Sequence, residues 1–167
     1  MEQDVTIQVK VTVMDMYRFL MHHSYSGIQG ILNVLISGGA IVLLLCGVGK
    51  NNSLAMVALI LAAALFTIIN PINLLLKSVK QVVLLPTFRK PLSYTFGAEG
   101  ILVRQEEAEM LTNWNEVVRV VETRRSILIY MSAVRAYILP KKQYAEQVEA
   151  VKKQLENNSC YGSSKGK

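Results

Sequence analysis

The chain has 167 residues, of which 51% are hydrophobic, with a mean hydropathy of +0.32 and a formal charge of +6. That length leaves room for one small soluble domain beside any membrane segment. A sequence pI near 9.4 raises nucleic-acid binding, but no basic helix or aromatic–basic motif accompanies it, and two cysteines supply neither a disulfide framework nor a metal-ligand spacing.

In residues 1–15, Val5, Ile7, Val9, Val11 and Val13 alternate with Thr6, Gln8, Lys10 and Thr12. Period two with β-branched residues on one face predicts a strand, and the chain beyond the apolar runs of residues 31–76 should supply its partner sheet. The acidic lead lacks the basic start of a secretory signal peptide. Asp15 is expected to cap a short helix. Residues 16–30 mix Met, Tyr, Phe and Leu with Arg18, His22 and His23, which reads as an amphipathic helix at the membrane interface. Gly27 and Gly30 would let the chain bend beyond it.

Residues 31–49 are 19 uncharged, mostly apolar residues, and residues 54–76 are a further 23. A bilayer core of roughly 30 Å needs about 20 apolar residues of helix. Each run is long enough to cross, and residues 50–53 form the turn between them, so a two-helix transmembrane hairpin is expected. No Asp or Glu lies between Met16 and Ala98, while Arg18, Lys50, Lys77, Lys80, Arg89 and Lys90 all do. The turn holds one of these cations, and the flanks hold the others together with Lys10. The positive-inside bias then predicts a multi-pass cell-membrane protein with both termini cytoplasmic. Gly38, Gly39 and the alanines of the second run would let the two helices approach closely. Asn70, Pro71 and Asn73 interrupt the second run. They read either as a kink near the cytoplasmic interface or as a substrate or ion site.

Residues 77–91 continue as a helical extension until Pro86, then a basic linker, Arg89-Lys90-Pro91. From residue 92 the texture changes to about five or six short strands punctuated by turns. Pro140 is expected to open a helix whose Tyr144, Val148, Val151 and Leu155 make one apolar stripe, with Glu149 and Lys153 as a supporting pair. Residues 92–157 thus form a small β-barrel or sandwich capped by a C-terminal helix, and residues 158–167 read as a disordered tail. The fold class is an α+β membrane protein.

The strand Tyr94-x-Phe96, the turn and strand Glu99-Gly100-Ile101-Leu102-Val103, Trp114-x-x-Val117 and Ile138-Leu139-Pro140-Lys141-Lys142, behind a two-span hairpin, resemble the YcxB-like family of bacterial membrane proteins. The resemblance covers most of residues 5 to 156. It implies a hairpin followed by a pleckstrin-homology-like domain with Trp114 in its core, and it assigns no activity. Gly97 and Ala98 stand where an acidic pair is common in the family.

No catalytic residue, cofactor or metal is expected. His22 and His23, adjacent on a helix, point about 100° apart and cannot both ligate one ion. Glu106, Glu107 and Glu109 read as a solvated turn. Arg124 and Arg125, with Arg89 and Lys90, could rest the domain on anionic lipid. The partners expected are membrane lipids and a protein partner or a second copy, with no nucleic acid or small-molecule substrate. The function expected is a non-enzymatic, membrane-anchored interaction module. Alternatives are a small accessory subunit of a transport or channel assembly, with Asn33, Asn70 and Asn73 facing a path, or a membrane immunity protein.

Overall fold

The computed structural model describes residues 4–133 and 135–158, Gln29 by its backbone alone. The expected tail from residue 159 onward lies outside them. The fold is α+β, and the chain divides into two compact units: one drawn from residues up to Met16 and from Gln81 onward, the other Tyr17–Lys80.

In the first unit, β1 (Val5–Val9) pairs antiparallel with β2 (Leu92–Phe96), Ile7 facing Tyr94 and Val9 facing Leu92. The alternation of side chains that suggested a strand to Val13 stops being a strand at Val9. Thr12 takes the chain into α1 (Val13–Tyr25), because its backbone N–H and hydroxyl both donate to the Asp15 carboxylate, at 3.2 and 2.6 Å. The Asp15 N–H returns a bond to the Thr12 hydroxyl at 3.2 Å. Thr12 is therefore the cap, and Asp15 answers it from the first turn.

β3 (Gly100–Gln105) and β4 (Ala108–Asn113) complete a sheet in the order β1-β2-β3-β4. A second antiparallel sheet holds β5 (Arg119–Glu122), β6 (Ser126–Tyr130) and β7 (Ala136–Pro140), in that order. Every residue of β6 is buried, as befits the central strand. The core joins Ile7, Val9, Tyr94, Phe96 and Ile101 of the first sheet with Ile127, Ile129 and Leu139 of the second. The β3–β4 hairpin turns at Glu106, which adopts a left-handed φ of 54°. At Gly100 a Cβ would lie 2.2 Å from the Thr112 carbonyl oxygen, so only glycine fits that crossing.

Three further expectations for this unit are corrected. Trp114 is half-buried rather than central, because its indole N–H donates to the Gly97 carbonyl at 3.0 Å and pins the β2–β3 turn. Pro140 ends β7 instead of opening the helix. Two 3₁₀ turns, Lys141–Gln143 and Ala145–Gln147, intervene before α5 (Val148–Asn158). Tyr144, Val151 and Leu155 are buried, while Val148 is only half so. Glu149 pairs with Lys152 at 3.1 Å rather than with Lys153, because Lys152 also reaches Glu122 at 2.8 Å.

The second unit contains α2 (Ile28–Leu45) and α3 (Ser53–Ala64), packed side by side. The connection is longer than residues 50–53, because Gly47 and Gly49 take φ values of +80° and +91° and end the first helix early. The Asn52 side chain caps α3, accepting from the N–H groups of Leu54 and Ala55 at 3.1 and 3.2 Å. α3 runs through a π turn (Leu65–Ile69) into α4 (Asn70–Leu84). Together these form one continuous helix, Ser53–Leu84, long and apolar enough to cross a membrane. The segments Val13–Tyr25 and Gly30–Leu45 meet that criterion as a pair bent by 82°. Gly30 sits at the bend, where a Cβ would come within 2.5 Å of the Tyr25 Cα.

Candidate functional site

Sequence reasoning pointed to two groups of residues, one in each unit. In the second unit the local cause is Pro71. A proline lacks its N–H, and its ring collides with the carbonyl four residues back. The helix responds upstream: the Asn70 N–H bonds the Leu65 carbonyl, five residues back, widening the turn into a π register. Polar side chains gather around that turn. The Tyr25 hydroxyl donates to the Phe66 carbonyl at 2.9 Å and accepts from the Asn70 amide at 3.1 Å. The Ser37 hydroxyl donates to the Ala63 carbonyl at 2.7 Å and lies 2.9 Å from the Thr67 hydroxyl. Sequence reasoning missed Tyr25 and Thr67 in this role. The signal available was a hydroxyl or amide standing alone in an apolar run, as at Ser37, Thr67 and Asn70.

Asn73 behaves differently from Asn70. It is exposed, and no described residue bonds its amide. With Asn70, Leu74, Leu76, Lys77, Val79 and Lys80 it lines an open cavity of about 620 Å³ along α4. At 100° per residue, Asn73, Lys77 and Lys80 fall within roughly 60° of arc, so amide and ammonium groups share one face.

The second group lies at one end of the first unit. Because Val9 faces Leu92, the chain leaves β1 and enters β2 at the same end of the sheet. There the Gln105 amide donates to the Thr87 and Lys90 carbonyls at 2.9 and 3.2 Å, fixing the Arg89–Lys90 segment. Arg89 donates through Nε and Nη2 to the Val83 carbonyl at 3.2 and 3.1 Å, capping the end of α4. Lys90 pairs with Glu106. Lys10 and Gln143 exchange two bonds of 2.7 Å, and the Lys141 N–H donates to the Arg125 carbonyl at 2.9 Å. These links bring the β5–β6 turn, with Arg124 and Arg125 both exposed, to the end that carries Arg89 and Lys90. Lys141 and Lys152 also converge there on Glu122, which with Glu149 holds the Lys152 ammonium well above its usual pKa.

Elsewhere the titratable groups serve the core. Burial pushes the Tyr94 phenol well above its usual pKa, with the neighbouring Tyr137 adding to the effect. Burial also raises Tyr130, partly offset by the Arg119 guanidinium lying 4.3 Å over its ring. His22 reaches the Ser26 hydroxyl at 3.1 Å, and His23 stacks on Phe19 at 6.0 Å. Among the described residues no group of three His, Cys, Asp or Glu is placed to hold a metal.

Residues 96–155 match the family model described as YcxB-like protein. The match begins at the last residue of β2, spans β3 to β7 and ends within α5, so it lies wholly within the first unit. Comparison with the curated proteins and with the solved structures gives no match.

Proposed function

We propose that this protein is a non-enzymatic, membrane-anchored interaction module. In this reading α2 and the long helix Ser53–Leu84 form a two-span hairpin in the cell membrane, and both termini face the cytoplasm. The observation that carries the proposal is the apolar surface of the second unit. Ile31, Leu32, Val34, Leu35 and Ile36 of α2 and Leu54, Val57, Ile60 and Leu61 of α3 are all exposed. A contiguous apolar surface of that extent needs a lipid or protein covering. Ser37, Thr67 and Asn70, polar residues within the two apolar runs, are internally bonded, as a helix pair in hydrocarbon requires.

The first unit is then the presented domain. Its two antiparallel sheets and C-terminal helix suit a pleckstrin-homology-like domain, and the YcxB-like match over residues 96–155 supports that reading. Arg89, Lys90, Arg124 and Arg125 sit at the end where the chain enters and leaves the hairpin, so they would meet anionic headgroups, each contributing about 1 kcal/mol near such a surface. A protein partner or a second copy is the expected ligand of the domain.

Alkaline carbonate washing followed by purification in mild detergent tests the proposal. The full chain should stay with the membranes and emerge with a stoichiometric partner or as a self-associated species. Release by carbonate, or a solitary monomer, would contradict it.

A further inference from the structure

The ammonium groups of α4 are uncompensated. No Asp or Glu occurs between Met16 and Ala98, and no described residue forms an ion pair with Lys77 or Lys80. The two lysines stand three residues apart, about 4.5 Å along the axis at 1.5 Å per residue, and like charges at that spacing repel. A single phosphate between them would satisfy both. One turn nearer the apolar stretch, the unbonded Asn73 amide offers neutral donors and an acceptor, and Leu74 and Leu76 flank the polar face. The order along the helix is therefore apolar surface, neutral amide, then paired ammonium groups. That is the order of acyl chain, glycerol ester and phosphate in a lipid.

Resting on the membrane reading above, we infer that this face of α4 binds the headgroup of an anionic glycerophospholipid. The phosphate sits between Lys77 and Lys80, the glycerol region lies against Asn73, and the acyl chains run along the apolar surface of the helix. Lys77, Lys80 and Asn73, which share one face of α4, define the site.

Native mass spectrometry of the full chain tests it, after reconstitution into nanodiscs of equal phosphatidylglycerol and phosphatidylcholine. Wild type should retain phosphatidylglycerol preferentially. Lys77→Gln with Lys80→Gln should weaken that retention by roughly thirty-fold, from about 1 kcal/mol per cation. Lys77→Arg with Lys80→Arg should keep it and show that the fold tolerates changes there. Lys142→Gln with Lys153→Gln, exposed cations outside both cationic groups, should leave it unchanged. Equal retention of the two lipids, or unaltered retention in the double glutamine variant, overturns the inference. So does displacement by inorganic phosphate at matched phosphate concentration, which would mark a free-phosphate site. Release by carbonate would defeat the membrane reading and this inference together; a protein that stays in the membrane without lipid preference defeats this inference alone.

Discussion

Ile7→Ala tests whether residues on opposite sides of the Tyr17–Lys80 unit in sequence share one cooperative core. Ile7 is 2% exposed, faces Tyr94 in register, and lies 87 positions before it in sequence. Removing its three outer carbons loses transfer free energy and leaves a cavity that a sheet held by β2 can only partly close, for a cost of about 2–5 kcal/mol. Thr6→Ala on the opposite face is the control. The Thr6 hydroxyl meets Thr95 at 3.0 Å in an exposed position, and its loss should cost about 0.5 kcal/mol or less. The assay is urea denaturation of the detergent-solubilised chain, monitored by fluorescence of Trp114, the single tryptophan. Trp114 is bonded to Gly97 in the turn between β2 and β3, so it reports on the sheet that Ile7 joins. With a slope of about 2 kcal/mol per molar urea, a loss of about 3 kcal/mol moves the midpoint down by roughly 1.5 M. Equal, small shifts for the two variants would refute the placement of β1 in this core.

Gly100→Ala should cost about 2–3 kcal/mol in the same assay, because the new Cβ meets backbone atoms of β4 that cannot rotate away. Tyr25→Phe and Ser37→Ala each remove a bond to a carbonyl beside the π turn, and each should weaken helix association by about 0.6–1.7 kcal/mol in a mixed-micelle SDS titration. Tyr94 supplies a pH test: its folded pKa lies above the ordinary value of about 10, so above that pH the unfolded chain binds fewer protons and stability falls, by up to about 1.4 kcal/mol per pH unit for this group. Tyr94→Phe should make the alkaline decline between about pH 10 and pH 11 measurably shallower, with little change near neutral pH.

The features legible in the sequence are those set by local pattern. The alternation of Val5, Ile7 and Val9 matches β1, and the stripe of Tyr144, Val151 and Leu155 reaches the core. The features it concealed depend on competing local bonds or distant partners. The alternation runs on to Val13 without a break, yet the Thr12–Asp15 pair turns the chain into a helix. Pro140 suits a helix start and a strand end equally well in sequence. The buried Tyr144, whose hydroxyl bonds the Leu139 carbonyl at 3.2 Å, delays α5 to Val148. The π turn answers to Pro71 locally, but its polar partners Tyr25 and Ser37 lie 41 and 26 residues from the carbonyls they bond. Of the four cations assigned to a lipid surface, Arg89 and Lys90 also hold a helix end and a hairpin turn, which only their spatial neighbours reveal.

The most direct measurement is cysteine accessibility in intact cells, on a background of Cys46→Ser and Cys160→Ser. Asn51→Cys is the reporter in the connection between α2 and α3, chosen because Asn52 caps a helix. Lys153→Cys, exposed on α5, reports on the presented domain. A membrane-impermeant maleimide should label residue 51 from outside and residue 153 only after the cells are permeabilised. Labelling of residue 153 from outside, or of both positions only after permeabilisation, would contradict a hairpin that anchors a cytoplasmic domain.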